Sequence, residues 1–200
     1  RCRRRSPSCA GAWRAPAADA HPVAIRSVLR MGDPLLLRVA EPVADPLAPE
    51  IGELLADLLD TMRANQGAGI AAPQIGVSLR VVIFGIERSA RYPEAEPVPL
   101  TALINPVLTP LGDAMEEGWE GCLSVPGMRG LVPRWSRLRY EGYGAGGERV
   151  VREVAGFHAR VVQHEVDHLD GVLFFDRMKS LETLAFMDEF KRYWAKDDQE

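Results

Sequence analysis

The residues of this chain best suited to chemistry are two of its four histidines, which lie in the stretch QHEVDHLDG, residues 163–171. If this segment is helical, His164 and His168 lie one turn apart on the same face, where both imidazoles can bind one cation. Glu165 lies about 100° further around the helix, near enough to contact water beside that cation. Two ligands and a general base from one turn are typical of metal-dependent hydrolases. A solvated helix with unrelated histidines is the alternative.

A catalytic site of this kind needs a third ligand, and the sequence offers several candidates. The metzincin arrangement would need a histidine three residues beyond Gly171, and Phe174 excludes it. Asp188 or Glu189 has the spacing of a thermolysin-like carboxylate, although the run MDEFKR also suits the solvated face of a helix. Cys122, in GWEGCLSVPG, lies in a loop-like setting that suits a thiolate better than core packing. A thiolate with two imidazoles leaves a fourth position open, as catalytic sites do.

A glycine-rich stretch, NQGAGIAAPQIG at residues 65–76, could also bind a ligand. It lacks the third glycine of a phosphate-binding loop, and its Ala-Ala-Pro run does not suit the start of a helix. We therefore exclude nucleotide binding. Small residues followed by Gln74 favour backbone that runs close to a ligand, with one amide able to donate a hydrogen bond.

The elements that must position these residues indicate an α+β fold. Apolar residues at three- and four-residue spacing predict an N-terminal amphipathic helix that begins at Asp45-Pro46 and ends at Gly67. Helical periodicity returns over 156–169 and again over a C-terminal helix at 181–195. Four segments rich in β-formers predict strands, at 79–86, 100–108, 131–143 and 148–154. We expect mixed or antiparallel sheets packed around a central metal-binding helix.

Length and composition favour one catalytic domain, over residues 23–200 of a 200-residue chain. The composition, 46% hydrophobic and 26% charged, is that of a soluble globular protein, and no apolar run is long enough to span a membrane. Residues 1–18 hold five arginines and no acidic residue, whereas the remainder holds 19 basic and 28 acidic residues. An acidic body argues against DNA as a partner.

The first 22 residues form a basic segment that we expect to be a disordered extension without a role in function, since it lacks an initiator Met. Cys2 and Cys9 lie in this segment, so Cys122 is the one cysteine of the body. A single body cysteine predicts a reducing compartment, with the bacterial cytoplasm as first choice. If residues 1–20 are a transit peptide, a mitochondrion or plastid is the alternative.

Three segments together resemble the signature motifs of the peptide deformylases: GAGIAAPQ at 67–74, EGCLS at 120–124 and QHEVDHLDG at 163–171. Their order and separation match the family, and the resemblance covers about residues 24–180. It implies a hydrolase that removes the formyl group from the N-terminal formylmethionine of newly made polypeptides and releases formate. The implied partners are N-formylmethionyl nascent peptides and, transiently, the region of the ribosome exit, and the implied state is a monomer.

The resemblance also implies a role for each motif residue. Cys122, His164 and His168 would bind one divalent metal ion, ordinarily Fe²⁺, with Zn²⁺, Ni²⁺ or Co²⁺ able to replace it. Glu165 would be the general acid and base, while the Gln74 amide and the backbone N–H of Leu123 would stabilise the oxyanion. The methionine pocket and peptide-binding residues would be Gly69, Ile70, Gly121, Arg129, Phe157 and Val161.

Some neighbouring residues have no settled role at this point. Phe157 and Val161 precede His164 on the same face of the predicted helix, which supports their place near the site independently. Arg160 stands where the family often has an apolar residue, and it could either shape the pocket or face solvent. We expect His158 to lie at the surface or make a structural hydrogen bond, and Asp167 to orient an imidazole or face water.

Overall fold

A computed structural model of the chain describes residues 24–86 and 96–195, so the predicted extension at 1–22 lies outside the described residues. The helices are α1 (Pro49–Ala64), α2 (Gly156–Leu169) and α3 (Met187–Tyr193). The strands are β1 (Gly69–Ala71), β2 (Val81–Ile86), β3 (Val98–Pro110), β4 (Met115–Cys122), β5 (Val125–Trp135), β6 (Arg137–Tyr143), β7 (Arg149–Ala155) and β8 (Ala185–Phe186). Short 3-10 turns lie at Pro34–Leu37, Ala72–Ile75, Phe174–Arg177 and Leu181–Thr183.

The strands form two antiparallel sheets, which confirms the α+β prediction. One sheet has the order β1-β2-β3-β6-β7 and the other the order β4-β5-β8. Every pairing between these strands is antiparallel. In this ordering β1 and β4 each lie at an edge of their sheet.

Helix α1 confirms the predicted amphipathic helix but begins later than the sequence suggested. Pro49 occupies its first turn, a position that tolerates a missing backbone N–H. The Asp45 side chain instead accepts a hydrogen bond from the Leu47 N–H in the preceding turn. The apolar face of α1 packs on β1, β2 and β3 in one core cluster, through residues that include Ile51, Leu55, Leu58, Leu59 and Met62.

Helix α2 has the bounds predicted from its periodicity, and Gly171 ends the segment with a φ of 71°. Its buried side chains Ala159, Val162, Val166 and Leu169 join Phe84, Leu103 and Tyr140 from the larger sheet in a second core cluster. The opposite side of the helix faces β4 and β5. The helix is therefore held between the two sheets, and its side chains are fixed from both sides.

Two elements predicted from the sequence were wrong in detail, and one strand was missed. Strand β4 was not predicted, and the predicted strand 131–143 is divided at Ser136 into β5 and β6, which belong to different sheets. The predicted helix at 181–195 contains a 3-10 turn and the two residues of β8 before α3 begins. None of the helices described in the structure is long and apolar enough to cross a membrane.

Candidate active site and metal centre

The metal-binding residues come from two elements that the fold brings together. Cys122 is the last residue of β4, and His164 and His168 lie on α2. One ligand atom of each lies within 4.8 Å of the others, and Cys122 Sγ is 3.3 Å from His168 Nε2. Cys122 therefore supplies the predicted third ligand, although it ends a strand rather than lying in a loop. The alternatives Asp188 and Glu189 lie exposed on α3.

The electrostatics of this cluster favour a thiolate. Burial raises the pKa of the Cys122 thiol, but the charge of His168 and hydrogen bonds from both imidazoles outweigh it and hold the pKa well below its usual value. His168 is 1% exposed, and its Nδ1 has no hydrogen-bond partner in the described part of the chain. A buried sulfur and two imidazole nitrogens fit a metal such as iron or zinc, both of which bind these donors.

Glu120, on β4, fixes the orientation of His164, a role that was not predicted from the sequence. Its Oε2 lies 2.8 Å from His164 Nδ1, which leaves Nε2 of that ring for the metal. Arg134 donates to both carboxylate oxygens at 2.9 Å, and Arg160 donates to Oε1 at 2.8 Å. Burial opposes the charged form of Glu120, yet these hydrogen bonds keep its pKa far below the usual range.

The same arginine links Glu120 to Asp167, so the prediction for Asp167 was wrong. The Asp167 carboxylate is 7% exposed and accepts hydrogen bonds from Arg134 at 2.5 Å and Arg177 at 2.9 Å. It neither orients an imidazole nor faces water. Asp167 binds the Arg134 guanidinium on the side away from Glu120. A buried network of charged side chains, Glu120, Arg134 and Asp167, therefore connects β4 and β5 to the metal-binding helix.

Glu165 is buried beside the three metal-binding residues, as its position on α2 predicted. It is 5% exposed, and burial is the main cause that raises its pKa to about 7. Its Oε2 has no hydrogen-bond partner in the described residues. Its carboxylate lies directly against Gly69, where a Cβ would overlap it. A carboxyl group with this pKa can exchange a proton near neutral pH.

Gln74 directs its amide nitrogen toward Cys122. Its Oε1 accepts a hydrogen bond from the Ala71 N–H at 2.8 Å, so the NH₂ end of the amide faces the site. Its Nε2 lies 3.5 Å from Cys122 Sγ and 3.1 Å from Ser124 Oγ. Leu123 follows Cys122 at the turn between β4 and β5. Both residues therefore adjoin the metal cluster.

These residues line one cavity between β1, β4 and α2. The glycine-rich stretch forms one wall, β4 forms the second and α2 forms the base. Its lining is Gly67, Ala68, Gly69, Gln74, Trp119, Glu120, Gly121, Cys122, Leu123, Phe157, Arg160, Val161, His164 and Glu165. The three segments that carry chemistry in the sequence thus meet around a single space.

Comparisons with known proteins identify the family to which this arrangement corresponds. A family model described as "Polypeptide deformylase" matches residues 25–184. The chain belongs to the peptide deformylase family. It is 62% identical to "Peptide deformylase 1" of Nitrosomonas europaea over 82% of this chain and 93% of the relative. It is 54% identical to "Peptide deformylase 1" of Prochlorococcus marinus over 84% of this chain and 88% of that relative.

Solved structures of peptide deformylases have the same fold. The Met-Ala-Ser-bound class I type b peptide deformylase of Acinetobacter baumannii superposes with a TM-score of 0.75 at 36% identity. That match covers 78% of this chain and all of the other chain. The peptide deformylase of Thermotoga maritima matches with a TM-score of 0.68 at 33% identity, over 78% of this chain and 99% of that one.

Two of the residues that the deformylase resemblance placed in the substrate site do not line the cavity. The side chain of Ile70 is fully buried in the core cluster under α1. Arg129 is 7% exposed, and its Cζ lies 5.3 Å from the centre of the Phe190 ring. Gly69, Gly121, Phe157 and Val161 do line the cavity.

Two residues of this deformylase that the sequence left undecided have structural partners. Arg160 faces the protein, where it donates to the backbone carbonyls of Glu116, Gly118 and Val132 as well as to Glu120. His158 Nε2 lies 3.4 Å from the Tyr140 hydroxyl oxygen, so the predicted structural hydrogen bond has a partner. Burial is the main cause that lowers the pKa of His158 to about 4.

Proposed function

We propose that this chain is a metal-dependent hydrolase that removes the formyl group from the N-terminal formylmethionine of newly synthesised polypeptides and releases formate. The observation that carries this is the convergence of Cys122, His164 and His168 beside the buried Glu165, at the wall of a cavity. Membership of the peptide deformylase family supports the same reaction.

Cys122, His164 and His168 would hold one divalent ion, which polarises the attacking water and the formyl oxygen when it is bound. We propose Fe²⁺ as the ion, with Zn²⁺, Ni²⁺ or Co²⁺ able to replace it. One sulfur and two nitrogens suit iron and zinc alike, so the identity has to be measured. Metal analysis of protein purified without oxygen tests it, and zinc alone at one ion per chain would contradict iron.

Glu165 acts as the general acid and base. Its carboxylate accepts a proton from the attacking water and then delivers that proton to the nitrogen of the departing peptide. A pKa of about 7 supports both steps, because the group can hold or lose a proton near neutral pH. The contact with Gly69 fixes the carboxylate beside the metal ligands, which limits the reorientation that either step needs.

Gln74 and Leu123 stabilise the negative charge that develops on the formyl oxygen. The Gln74 Oε1 accepts a hydrogen bond from the Ala71 N–H, which orients the amide so that its Nε2 lies beside Cys122 and Ser124 before substrate arrives. The backbone N–H of Leu123 supplies the second donor. Donors fixed in advance stabilise developing charge without reorganisation during the reaction.

The methionine side chain enters the part of the cavity formed by Phe157 and Val161 on α2. Gly69 and Gly121 leave room for the peptide backbone, which binds between β1 and β4 as an added strand. For Ile70 we propose a backbone contact, because its side chain belongs to the core. We place Arg129 further along the peptide, beyond the methionine.

The setting of the reaction follows from its substrate. We propose that the chain acts as a monomer in the bacterial cytoplasm, on formylmethionyl peptides that emerge from the ribosome exit region. If residues 1–20 are a transit peptide, a mitochondrion or plastid is the compartment. Neither DNA nor a membrane is a partner in this proposal.

Formate release from formyl-Met-Ala-Ser tests the proposed function. The protein is purified without oxygen, because oxidation of ferrous iron or of Cys122 would remove activity. We expect stoichiometric release of formate and of Met-Ala-Ser. Cys122→Asp should reduce both activity and metal affinity, whereas a thermolysin-like site would tolerate this change. Absence of formate with one metal ion bound per chain would contradict the proposal.

A further inference from the structure

An aromatic cluster that the proposed reaction does not use lies beside the cavity. The Trp119 ring on β4 is 4.8 Å from the Phe190 ring and 5.5 Å from the Trp194 ring, measured between centroids. We call Trp119, Phe190 and Trp194 the aromatic rim. Trp119 is also among the residues that line the cavity. The rim therefore joins the C-terminal segment to the active site.

The C-terminal segment is fastened in this place by the smaller sheet. Ala185 on β8 pairs with Arg129 on β5, and α3 follows directly. Phe190 then packs between Trp119 and the Arg129 guanidinium, whose Cζ is 5.3 Å from the ring centre. Two adjacent strands thus hold Phe190, and Trp194 remains 46% exposed at the surface. Because the rings are already held in place, this surface can contact a ligand without a change of conformation.

Two strand edges that line the cavity offer a path for an extended peptide. Among the described strands, β1 and β4 each end a sheet, and both line the cavity. If a peptide whose formyl group lies at Cys122 extends along the edge of β4, it passes Gly121 and runs toward Trp119, which also lines the cavity. An extended chain advances about 3.3 Å per residue, so the residue after methionine comes level with this part of β4.

The alternation of side chains decides which peptide residue meets the rim. On β4 the Glu120 side chain faces α2, where it contacts His164, and its neighbour Trp119 faces the opposite side. The methionine side chain, in the pocket of Phe157 and Val161, also faces α2. In an extended peptide the next side chain faces the opposite side, which is the side of Trp119 and Phe190.

We infer that the aromatic rim recognises the side chain of the second residue of the formylated peptide and favours large apolar or aromatic side chains there. This inference rests on the proposed function, and it adds a substrate preference to that site. A ring in this position can pack on Trp119 and Phe190 in an edge or offset geometry. An alanine cannot reach the rim.

The test compares two peptides, formyl-Met-Phe-Ser and formyl-Met-Ala-Ser, by kcat/KM for formate release with iron-loaded full-length protein. We expect the wild type to favour the Phe peptide by about three- to tenfold, the ratio that one aromatic contact supplies. Phe190→Ala should bring the ratio to within about twofold of one. Phe190→Leu, which keeps apolar bulk, should give an intermediate ratio.

Tyr193→Ala is the matched control, because Tyr193 is an aromatic residue of the same helix that is 67% exposed and lies outside the rim. It should keep the wild-type ratio. A ratio near one in the wild type, or an unchanged ratio in Phe190→Ala, overturns the inference while leaving the proposed function intact. Failure of the metal-loaded wild type to release formate from either peptide overturns the proposed function itself.

Discussion

Replacing Glu120 by glutamine should destabilise the protein and weaken its metal site. The Glu120 carboxylate has four close contacts: two from Arg134, one from Arg160 and one with His164 Nδ1. In Glu120→Gln one carboxylate oxygen remains as the amide oxygen. The other is replaced by an NH₂ group, a donor, which then faces N–H groups that are donors themselves. Two of the four contacts are then lost, and the buried Arg134 guanidinium loses one of its two hydrogen bonds to residue 120.

The expected size follows from the burial of this pair. Arg134 and Glu120 have side chains only 4% and 5% exposed, so solvent cannot replace the missing acceptor. Breaking a buried ion pair by removing one charge costs about 3–5 kcal/mol. Loss of the partner that orients a metal-binding histidine lowers metal affinity by about 10- to 100-fold.

Urea unfolding of metal-free protein measures the first effect, and competition with a chelator for Zn²⁺ measures the second. Glu141→Gln is the control, because Glu141 accepts from Arg139 and Arg149 at the surface and its loss should leave the urea midpoint unchanged. If Glu120→Gln unfolds within about 1 kcal/mol of wild type and binds Zn²⁺ within about threefold, the network does not support the site as argued.

Three further predictions concern single residues. Glu165→Ala should keep its metal but lose at least about 100-fold in kcat, and near-normal turnover would remove Glu165 as the general base. Gly69→Ala places a Cβ against the Glu165 carboxylate, so kcat should fall at least about tenfold, whereas Gly52→Ala, with open space on α1, should stabilise the helix by roughly 0.5–1 kcal/mol. Burial and the charge of Arg152 lower the pKa of His158 from 6.5 to about 4, so its neutral form contributes stability above pH 6.5 that is lost as the pH falls toward 4. Urea unfolding between pH 7 and pH 4 should therefore show a shallower loss for His158→Gln than for wild type, and equal slopes would contradict this.

The helices that carry long apolar stripes could be predicted, because burial along one face repeats with the helical period. Helix α2 has its predicted bounds, and the predicted strands at 79–86 and 148–154 correspond to β2 and β7. Strand β4 has no such signal, since its sequence MEEGWEGC contains acids and glycines. Its buried carboxylate is stabilised by Arg134 and Arg160, which are distant in sequence, so no local pattern could reveal it.

The part of the candidate site that could be predicted is the part encoded in local residue spacing and in the family motifs. The spacing of His164 and His168 indicated a shared metal, and the motif around Cys122 supplied the third ligand. The residues that support these ligands were missed, because the partners of Glu120 lie on other elements, Arg134 on β5 and Arg160 and His164 on α2. Asp167 was assigned wrongly for the same reason: its neighbour in sequence is a metal ligand, but its partners in space are arginines.

The open edges of β1 and β4 also bear on edge-to-edge pairing between molecules. An unpaired edge can pair with the edge of another molecule and start aggregation. Here β1 is only three residues long, and β4 carries the exposed acids Glu116 and Glu117 directly after its first residue, Met115. Arg160 donates to two β4 carbonyls, which ties the strand to α2. These features therefore oppose the growth of a continuous intermolecular sheet at the same edges where the proposed peptide would bind.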